Sequence, residues 1–233
     1  MKVCLFDIDG TLIRSGGAGK LAFLRTLEQA FQIEVGEPGV PFAGRTDRGI
    51  ISDLFSHYGM VLSDESWNRF AEIYFDVLPI CLNECKGRVL PGVESMLRQL
   101  GAAKNMGVGL LTGNMAKGAE IKLRYFDLFD YFDFGGFGDQ FVDRDRVAEE
   151  ALATTRNYCN EQIKPENIFV IGDTPNDVRC GQSIGARTVA VCTGNYSAAE
   201  LSEESPDFVF EDLSLAQPLI EQLCAGQQNI ESK

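Results

Sequence analysis

Two aspartates, Asp7 and Asp9, directly follow the first apolar run of the chain, residues 3–6. On an extended chain, residues i and i+2 share a face, so the two carboxylates can converge on one point. Such a pair suits Mg²⁺, and one carboxylate could also act as a nucleophile while the other moves a proton. Asp and Gly are common in turns as well, but two acids with no basic residue beside them would repel each other unless a cation held them. The spacing therefore favours a functional carboxylate pair.

Two later apolar runs end in polar clusters of a similar kind. Thr112, Gly113 and Asn114 offer a hydroxyl and backbone N–H groups, which can bind a phosphate oxygen, although the same residues would serve as an ordinary helix N-cap. Asp173 could complete a cation site, and Asp177 falls in the first turn of the helix that follows. An acid at that position is also a simple partner of the helix dipole.

The elements that must position these residues alternate along the chain. Apolar runs predict buried strands and amphipathic segments predict helices, which together indicate an α/β fold. We predict a Rossmann-like open parallel sheet with helices on both faces, in which ligands bind at the carboxyl ends of the strands. The predicted strands are 3–6, 107–111, 168–171 and 188–191, and the predicted helices are 92–105, 116–126, 146–160 and 175–184.

One region interrupts this alternation with helical periodicity alone. Its apolar-periodic segments are 20–31, 47–57 and 64–85, with Thr46 and Ser63 placed as N-caps. We therefore predict an inserted all-helical cap domain over residues 16–86. The catalytic core would then comprise residues 1–15 and 87–226, followed by a flexible polar tail, 227–233.

Composition limits the classes of partner. The chain has 233 residues, 45% hydrophobic and 24% charged, and its 34 acidic and 21 basic residues give a net charge of −13. That charge disfavours nucleic acid and acidic membranes but allows a small anion in a cleft that holds a cation. The first apolar run is too short for a signal peptide and no stretch is long enough to cross a membrane. We therefore expect a cytoplasmic protein with reduced cysteines.

The three polar clusters occur in an order that resembles the haloacid dehalogenase superfamily. A stretch in the helical insert, Gly44-Arg45-Thr46-Asp47, resembles its phosphoglycolate phosphatase-like branch. The resemblance implies an enzyme, a Mg²⁺-dependent phosphatase that hydrolyses a small phosphate monoester, phosphoglycolate-like or a sugar phosphate, through an aspartyl phosphate. A pyrophosphatase, a phosphomutase and a non-catalytic protein that binds phosphate or a partner remain alternatives, and oligomeric state stays open.

The resemblance also implies roles for the acids. Asp7 would be the nucleophile and a Mg²⁺ ligand, and Asp9 would protonate the leaving oxygen, activate water and place its backbone carbonyl on the metal. Asp173 would be the second carboxylate ligand of the metal. Asp177 would orient the site from outside the ligand set.

The phosphoryl oxygens would be held by Thr112 together with the N–H groups of Gly113 and Asn114, as the same resemblance implies. In the cap, Arg45 is a candidate contact for a second anionic group on the substrate. A structural salt bridge is the equally weighted alternative for this arginine.

One element departs from the family pattern, because the lysine that normally follows the second motif is missing. Arg144 is the candidate substitute, since it keeps the positive charge and adds bidentate geometry. It could instead be a surface residue neutralised by Asp143 and Asp145. Lys122, in the middle of a predicted helix, and Arg146 are further candidates.

Overall fold

The computed structural model describes residues 1–36, 39–160 and 163–224. Over these residues the strands are β1 (Lys2–Phe6), β2 (Ile13–Arg14), β3 (Arg88–Val89), β4 (Met106–Leu111), β5 (Phe134–Gly136), β6 (Ile168–Gly172), β7 (Arg187–Val191) and β8 (Phe208–Phe210). The helices are α1 (Ala18–Phe31), α2 (Asp47–His57), α3 (Asp64–Cys85), α4 (Val93–Ala102), α5 (Ala116–Tyr125), α6 (Arg144–Tyr158), α7 (Pro175–Ser183), α8 (Ala198–Ser202) and α9 (Gln217–Cys224).

The predicted parallel sheet is confirmed, with six strands in the order β5-β4-β1-β6-β7-β8. Alternate residues of β1 face opposite sides of it, as the period of a strand requires. Cys4 and Phe6 pack into a hydrophobic cluster with α4 and α9, whereas Val3 and Leu5 pack into another with α6 and α7. The sheet is therefore covered by helices on both faces.

The predicted helical insertion is also confirmed, and α1, α2 and α3 lie between β2 and β3. Their apolar faces share a hydrophobic cluster of their own, rich in phenylalanine. The hydroxyls of Thr46 and Ser63 accept the N–H groups of Gly49 and Ser66, so both residues are the N-caps that the sequence predicts. The inserted region that carries α1 to α3 is called the cap below.

Some element bounds differ from those predicted. Helix α6 begins at Arg144 rather than 146, because the Asp143 carboxylate accepts the N–H of Asp145 and so caps the helix two residues earlier. Strands β2, β3, β5 and β8 were not predicted, since runs of two or three residues carry no readable periodicity. The predicted tail, 227–233, lies outside the described residues.

Candidate active site

The three polar clusters meet at one edge of the sheet. Strands β4, β1 and β6 are neighbours, and Thr112, Asp7 and Asp173 follow them in that order at their carboxyl ends. A cavity of about 290 Å³ lies between this edge and the cap. Its lining combines acids and bases of the core with side chains of the cap, among them Phe23, Phe42, Arg45 and Ile50.

Asp7 lies at the floor of this cavity and is 7% exposed. Its Oδ1 accepts a hydrogen bond of 3.0 Å from Nη2 of Arg144, and the same nitrogen also donates to Oδ1 of Asp177. Burial raises the pKa of Asp7 to about 6 against the attraction of Arg144, and the negative charges of Asp177 and Asp9 add to the rise. The surface position considered for Arg144 is therefore wrong, since this side chain is 8% exposed and paired with both buried acids.

Asp7, Asp173 and Asp177 form a compact acidic cluster, with one carboxylate oxygen of each within 4.8 Å of the others. Burial, followed by the charges of Asp177 and Asp7, raises the pKa of Asp173 well above its usual range, which shows how strongly the cluster disfavours a further negative charge. Oxygen donors at this spacing fit a hard divalent cation such as Mg²⁺. The donors present therefore suit the metal that the family resemblance implies.

Local sequence explains how two of these acids are held. Asp177 completes a capping box at the start of α7, because its Oδ2 accepts the N–H and the hydroxyl of Thr174 while the Thr174 hydroxyl accepts the Asp177 N–H. The Thr11 hydroxyl donates to Oδ1 of Asp173 at 3.1 Å. Gly10 turns over this carboxylate with φ +91°, where a Cβ would lie 2.4 Å from Oδ2 of Asp173.

Asp9 lies in a second cluster, beside Lys122 and Asn114. Lys122 Nζ donates to both Asp9 Oδ2 and Asn114 Oδ1, and Asn114 Nδ2 donates to Asp9 Oδ2 at 3.0 Å. Burial alone would raise the pKa of Asp9, but Lys122 and the hydrogen bonds from Asn114 and Ser15 outweigh it and lower the pKa. Asp9 is thus held as a carboxylate in this arrangement.

Lys122 is the basic residue that sequence reasoning gave too little weight. It lies in the middle of α5, yet it is only 4% exposed and directed at Asp9. Its helix buries Gly118, Ala119, Lys122 and Leu123, so the lysine occupies the apolar stripe of that helix. A charged residue at a core-facing position was the signal in the sequence that could have identified it.

Of the motif after β4, Gly113 and Asn114 line the cavity, whereas Thr112 lies behind them. Thr112 is fully buried, and its hydroxyl accepts hydrogen bonds from the backbone N–H and the side-chain amide of Asn114, the latter at 2.9 Å. A Cβ on Gly113 would lie 2.0 Å from the carbonyl oxygen of Arg45, so the cap backbone rests directly on this glycine. The loop therefore joins the Asp9 cluster to the cap.

Arg45 and Asp47 bring the cap into the site in different ways. Arg45 lines the cavity, and its Nη1 pairs with Asp53 Oδ2 at 2.6 Å, so the salt bridge considered from the sequence is present. Asp47, which the sequence suggested only as part of a family stretch, is 6% exposed and accepts the N–H of Met115 at 2.8 Å. Burial raises the pKa of Asp47 to about 7, against the attraction of Lys122.

Over the described residues, no helix is both long and apolar enough to cross a membrane. All seven cysteines are free thiols.

Comparison with known proteins places this geometry in a family context. The profile described as haloacid dehalogenase-like hydrolase matches residues 4–191. The chain is 25% identical over 224 residues to the putative pyrophosphatase PpaX of Clostridium perfringens, covering 96% of this chain and 99% of that protein. Its fold is similar to that of a hydrolase from Pseudomonas syringae, with a TM-score of 0.72 and 21% identity over 97% of this chain and 100% of that one. A predicted phosphoglycolate phosphatase from Haemophilus somnus has a TM-score of 0.70 and 20% identity, over 92% and 95% of the two chains.

Proposed function

Because the chain belongs to the haloacid dehalogenase-like hydrolase family, we propose that it is a Mg²⁺-dependent phosphatase that hydrolyses a small phosphate monoester through an aspartyl phosphate on Asp7. The observation that carries the proposal is the placement of Asp7, a buried carboxylate at the cavity floor that contacts Arg144 and faces a second, lysine-paired aspartate. This arrangement offers a nucleophile and a separate proton-transfer group to one bound phosphoryl group.

In the first step, a carboxylate oxygen of Asp7 attacks phosphorus in line with the ester oxygen, and the bond from phosphorus to that oxygen breaks as the leaving oxygen takes a proton from Asp9. In the second step, Asp9 removes a proton from water, which attacks phosphorus and releases Asp7 and inorganic phosphate. The lowered pKa of Asp9 suits this second step. A bound phosphoryl dianion raises that pKa by repulsion, which favours the protonated form for the first step.

The remaining polar residues bind the phosphoryl group and neutralise its charge. Arg144 offsets charge on Asp7 and the phosphoryl group, and the Thr112 hydroxyl and the Gly113 N–H are proposed to donate to phosphoryl oxygens. The Asn114 N–H, which the Thr112 hydroxyl accepts here, would leave that bond to join them.

Asp7 and Asp173 are the proposed carboxylate ligands of Mg²⁺, with the backbone carbonyl of Asp9. Both oxygens of Asp177 already accept hydrogen bonds from Arg144 or Thr174, which supports an orienting role for it. Bound Mg²⁺ would neutralise the acidic cluster and polarise the phosphoryl oxygens.

The apolar part of the cavity lining favours an organic phosphate ester as the substrate. Phe23, Phe42 and Ile50 line its cap side, and apolar side chains contribute more to binding an organic leaving group than to binding a second phosphate. Pyrophosphate is the second candidate, favoured by the similarity over nearly the whole chain to a putative pyrophosphatase.

We further propose that residues 16–86 act as a cap domain over a core of residues 1–15 and 87–226. In this cap, Arg45 contacts a distal anionic group of the substrate. The substrate is a small phosphorylated metabolite, on which the enzyme acts in the cytoplasm.

The test is phosphate release from a panel of phosphomonoesters that includes p-nitrophenyl phosphate, phosphoglycolate, sugar phosphates and pyrophosphate, each with Mg²⁺ or with EDTA. We expect Mg²⁺-dependent release that is fastest from an organic monoester and that Asp7→Asn abolishes. Fastest release from pyrophosphate would select the second candidate, and isomerisation of a sugar phosphate without release would select a mutase. No turnover of any substrate by the folded protein would contradict the proposal.

A further inference from the structure

Residues 42–49 of the cap lie against the core loops that follow β4 and β5. The Asp47 N–H donates to the carbonyl of Gly113 at 2.6 Å, the Thr46 hydroxyl donates to the carbonyl of Val142 at 3.0 Å, and Asn176 of α7 donates to the carbonyl of Gly44 at 2.8 Å. These bonds join the cap to three separate parts of the core. The segment is thus seated on the phosphoryl-binding loop.

Within this segment, Asp47 is the residue whose carboxylate enters the core. It accepts the N–H of Met115, the residue just before α5. The adjacent N–H, of Ala116, is accepted by Asp139 of the core. Asp47 thus holds one of the unsatisfied donors at the start of the helix that carries Lys122.

The charge of Asp47 acts on the same lysine. Lys122 contacts Asp9 and Asn114 directly, and attraction from Asp9 and then Asp47 raises the pKa of Lys122 against the effect of burial. One buried ammonium group is thus attracted by an acid of the core and an acid of the cap. Because Asp47 reaches this place only when residues 42–49 are seated, its effect on Lys122 depends on cap position.

On the basis of the proposed function, we propose that Asp47 is a positioning residue that couples seating of the cap to catalysis: its carboxylate fixes the start of α5 and, through Lys122, the orientation of Asp9. The reaction would then be fast only with the cap seated. Binding of the phosphoryl group itself does not require Asp47, since Thr112, Asn114 and Arg144 belong to the core.

The test compares Asp47→Asn and Asp47→Ala with a matched control, Asp64→Asn. Asp64 is likewise the first residue of a cap helix, but it is exposed. With the best substrate of the panel, we expect Asp47→Ala to lower kcat at least tenfold while KM changes less than threefold, since a hydrogen bond to a charged group in a buried site is lost. Asp47→Asn keeps an oxygen that can accept the Met115 N–H but loses the charge, so it should fall between Asp47→Ala and the wild type. Asp64→Asn should stay within twofold of the wild type.

A second measurement does not depend on turnover. Hydrogen exchange at the Met115 amide should accelerate at least tenfold in Asp47→Ala, and less in Asp47→Asn, with unchanged exchange in the strands of the sheet. Wild-type kcat in Asp47→Ala, or wild-type exchange at Met115, would overturn the inference. Faster exchange in the strands of the sheet as well, in step with a loss of global stability that accounts for the fall in kcat, would also overturn it, because a purely structural role would produce that result. If the wild type releases no phosphate, the proposed function fails, while the exchange arm still decides whether Asp47 holds α5.

Discussion

Two substitutions at Arg144 distinguish the effect of its charge from the effect of its side-chain volume. Arg144→Met keeps an unbranched side chain but removes the cation that contacts both Asp7 and Asp177. Arg144→Lys keeps a positive charge, and it restores the lysine that the family resemblance leads one to expect between the second and third motifs. Arg146→Met is the matched control, because Arg146 lies two residues further along α6, is 60% exposed and contacts Glu149 and the ring of Phe141 at the surface.

The expected loss in free energy of unfolding follows from the contacts of Arg144. At 3.0 Å from Asp7, a unit charge pair is worth about 5.5 kcal/mol at an effective dielectric constant of about 20. Desolvation offsets part of this attraction, and removal of one partner from a buried pair typically destabilises a protein by about 3 to 5 kcal/mol. We therefore expect Arg144→Met to lose about that much free energy of unfolding at pH 8 in EDTA, and Arg146→Met to lose less than about 0.5 kcal/mol.

The loss should shrink at acid pH. Without Arg144, the pKa of Asp7 rises further above the value of about 6 that it has in the wild type, so the folded variant takes up a proton more readily and the repulsion disappears as pH falls. Urea unfolding at pH 8 and at pH 5 measures the loss of stability at each pH.

In the turnover assay, Arg144→Met should lower kcat about 10² to 10³-fold, the usual effect of removing one group that stabilises transition-state charge. Arg144→Lys should retain most of the wild-type kcat. A kcat for Arg144→Met within threefold of the wild type would refute the reasoning.

Two further predictions concern the other buried charges. Lys122→Met should lower kcat at least tenfold, because Asp9 loses the cation that contacts it. The control is Lys117→Met, since Lys117 is exposed and paired with Glu120, and its kcat should stay at the wild-type value. Equal activities of the two variants would contradict the role of Lys122. The folded-state pKa values of Asp7 and Asp47 are raised to about 6 and about 7, so their stabilising contribution is present at low pH and is lost as pH rises from about 4 to about 7. In EDTA the wild type should therefore unfold at lower urea concentration at pH 8 than at pH 5, and Mg²⁺ should restore stability at pH 8; a higher midpoint at pH 8 in EDTA would be inconsistent with these shifts.

The sequence was sufficient for the parallel sheet because its central strands are continuous apolar runs, buried on both faces. It was also sufficient for the order of the three polar clusters, because each follows such a run at its carboxyl end. The start of α6 was misjudged because Asp143 and Asp145 read as a charged surface run, whereas Asp143 caps the helix and directs Arg144 inward.

Lys122 and Asp47 show what the sequence could not supply. The burial of Lys122 depends on the partner that α5 packs against, and that partner is set by the tertiary fold. In the sequence, Asp47 looks like an ordinary acidic residue in the first turn of a helix, directly after the N-cap Thr46. Its contact with Met115 joins residues that are 68 positions apart. Long-range polar contacts of this kind leave no periodic signal along one chain.

The short antiparallel ladder of β2 and β3 brings the two ends of the cap together. It pairs Ile13 with Val89 and Arg14 with Arg88, so the chain leaves the core and returns to it at adjacent positions. Paired Cα atoms in such a ladder lie about 5 Å apart, a gap that a two-residue hairpin turn can bridge. The path of the core is therefore continuous in space across the whole insertion. An insertion of any length that begins and ends at this ladder would leave the path of the core unchanged, because its two ends lie only one strand spacing apart.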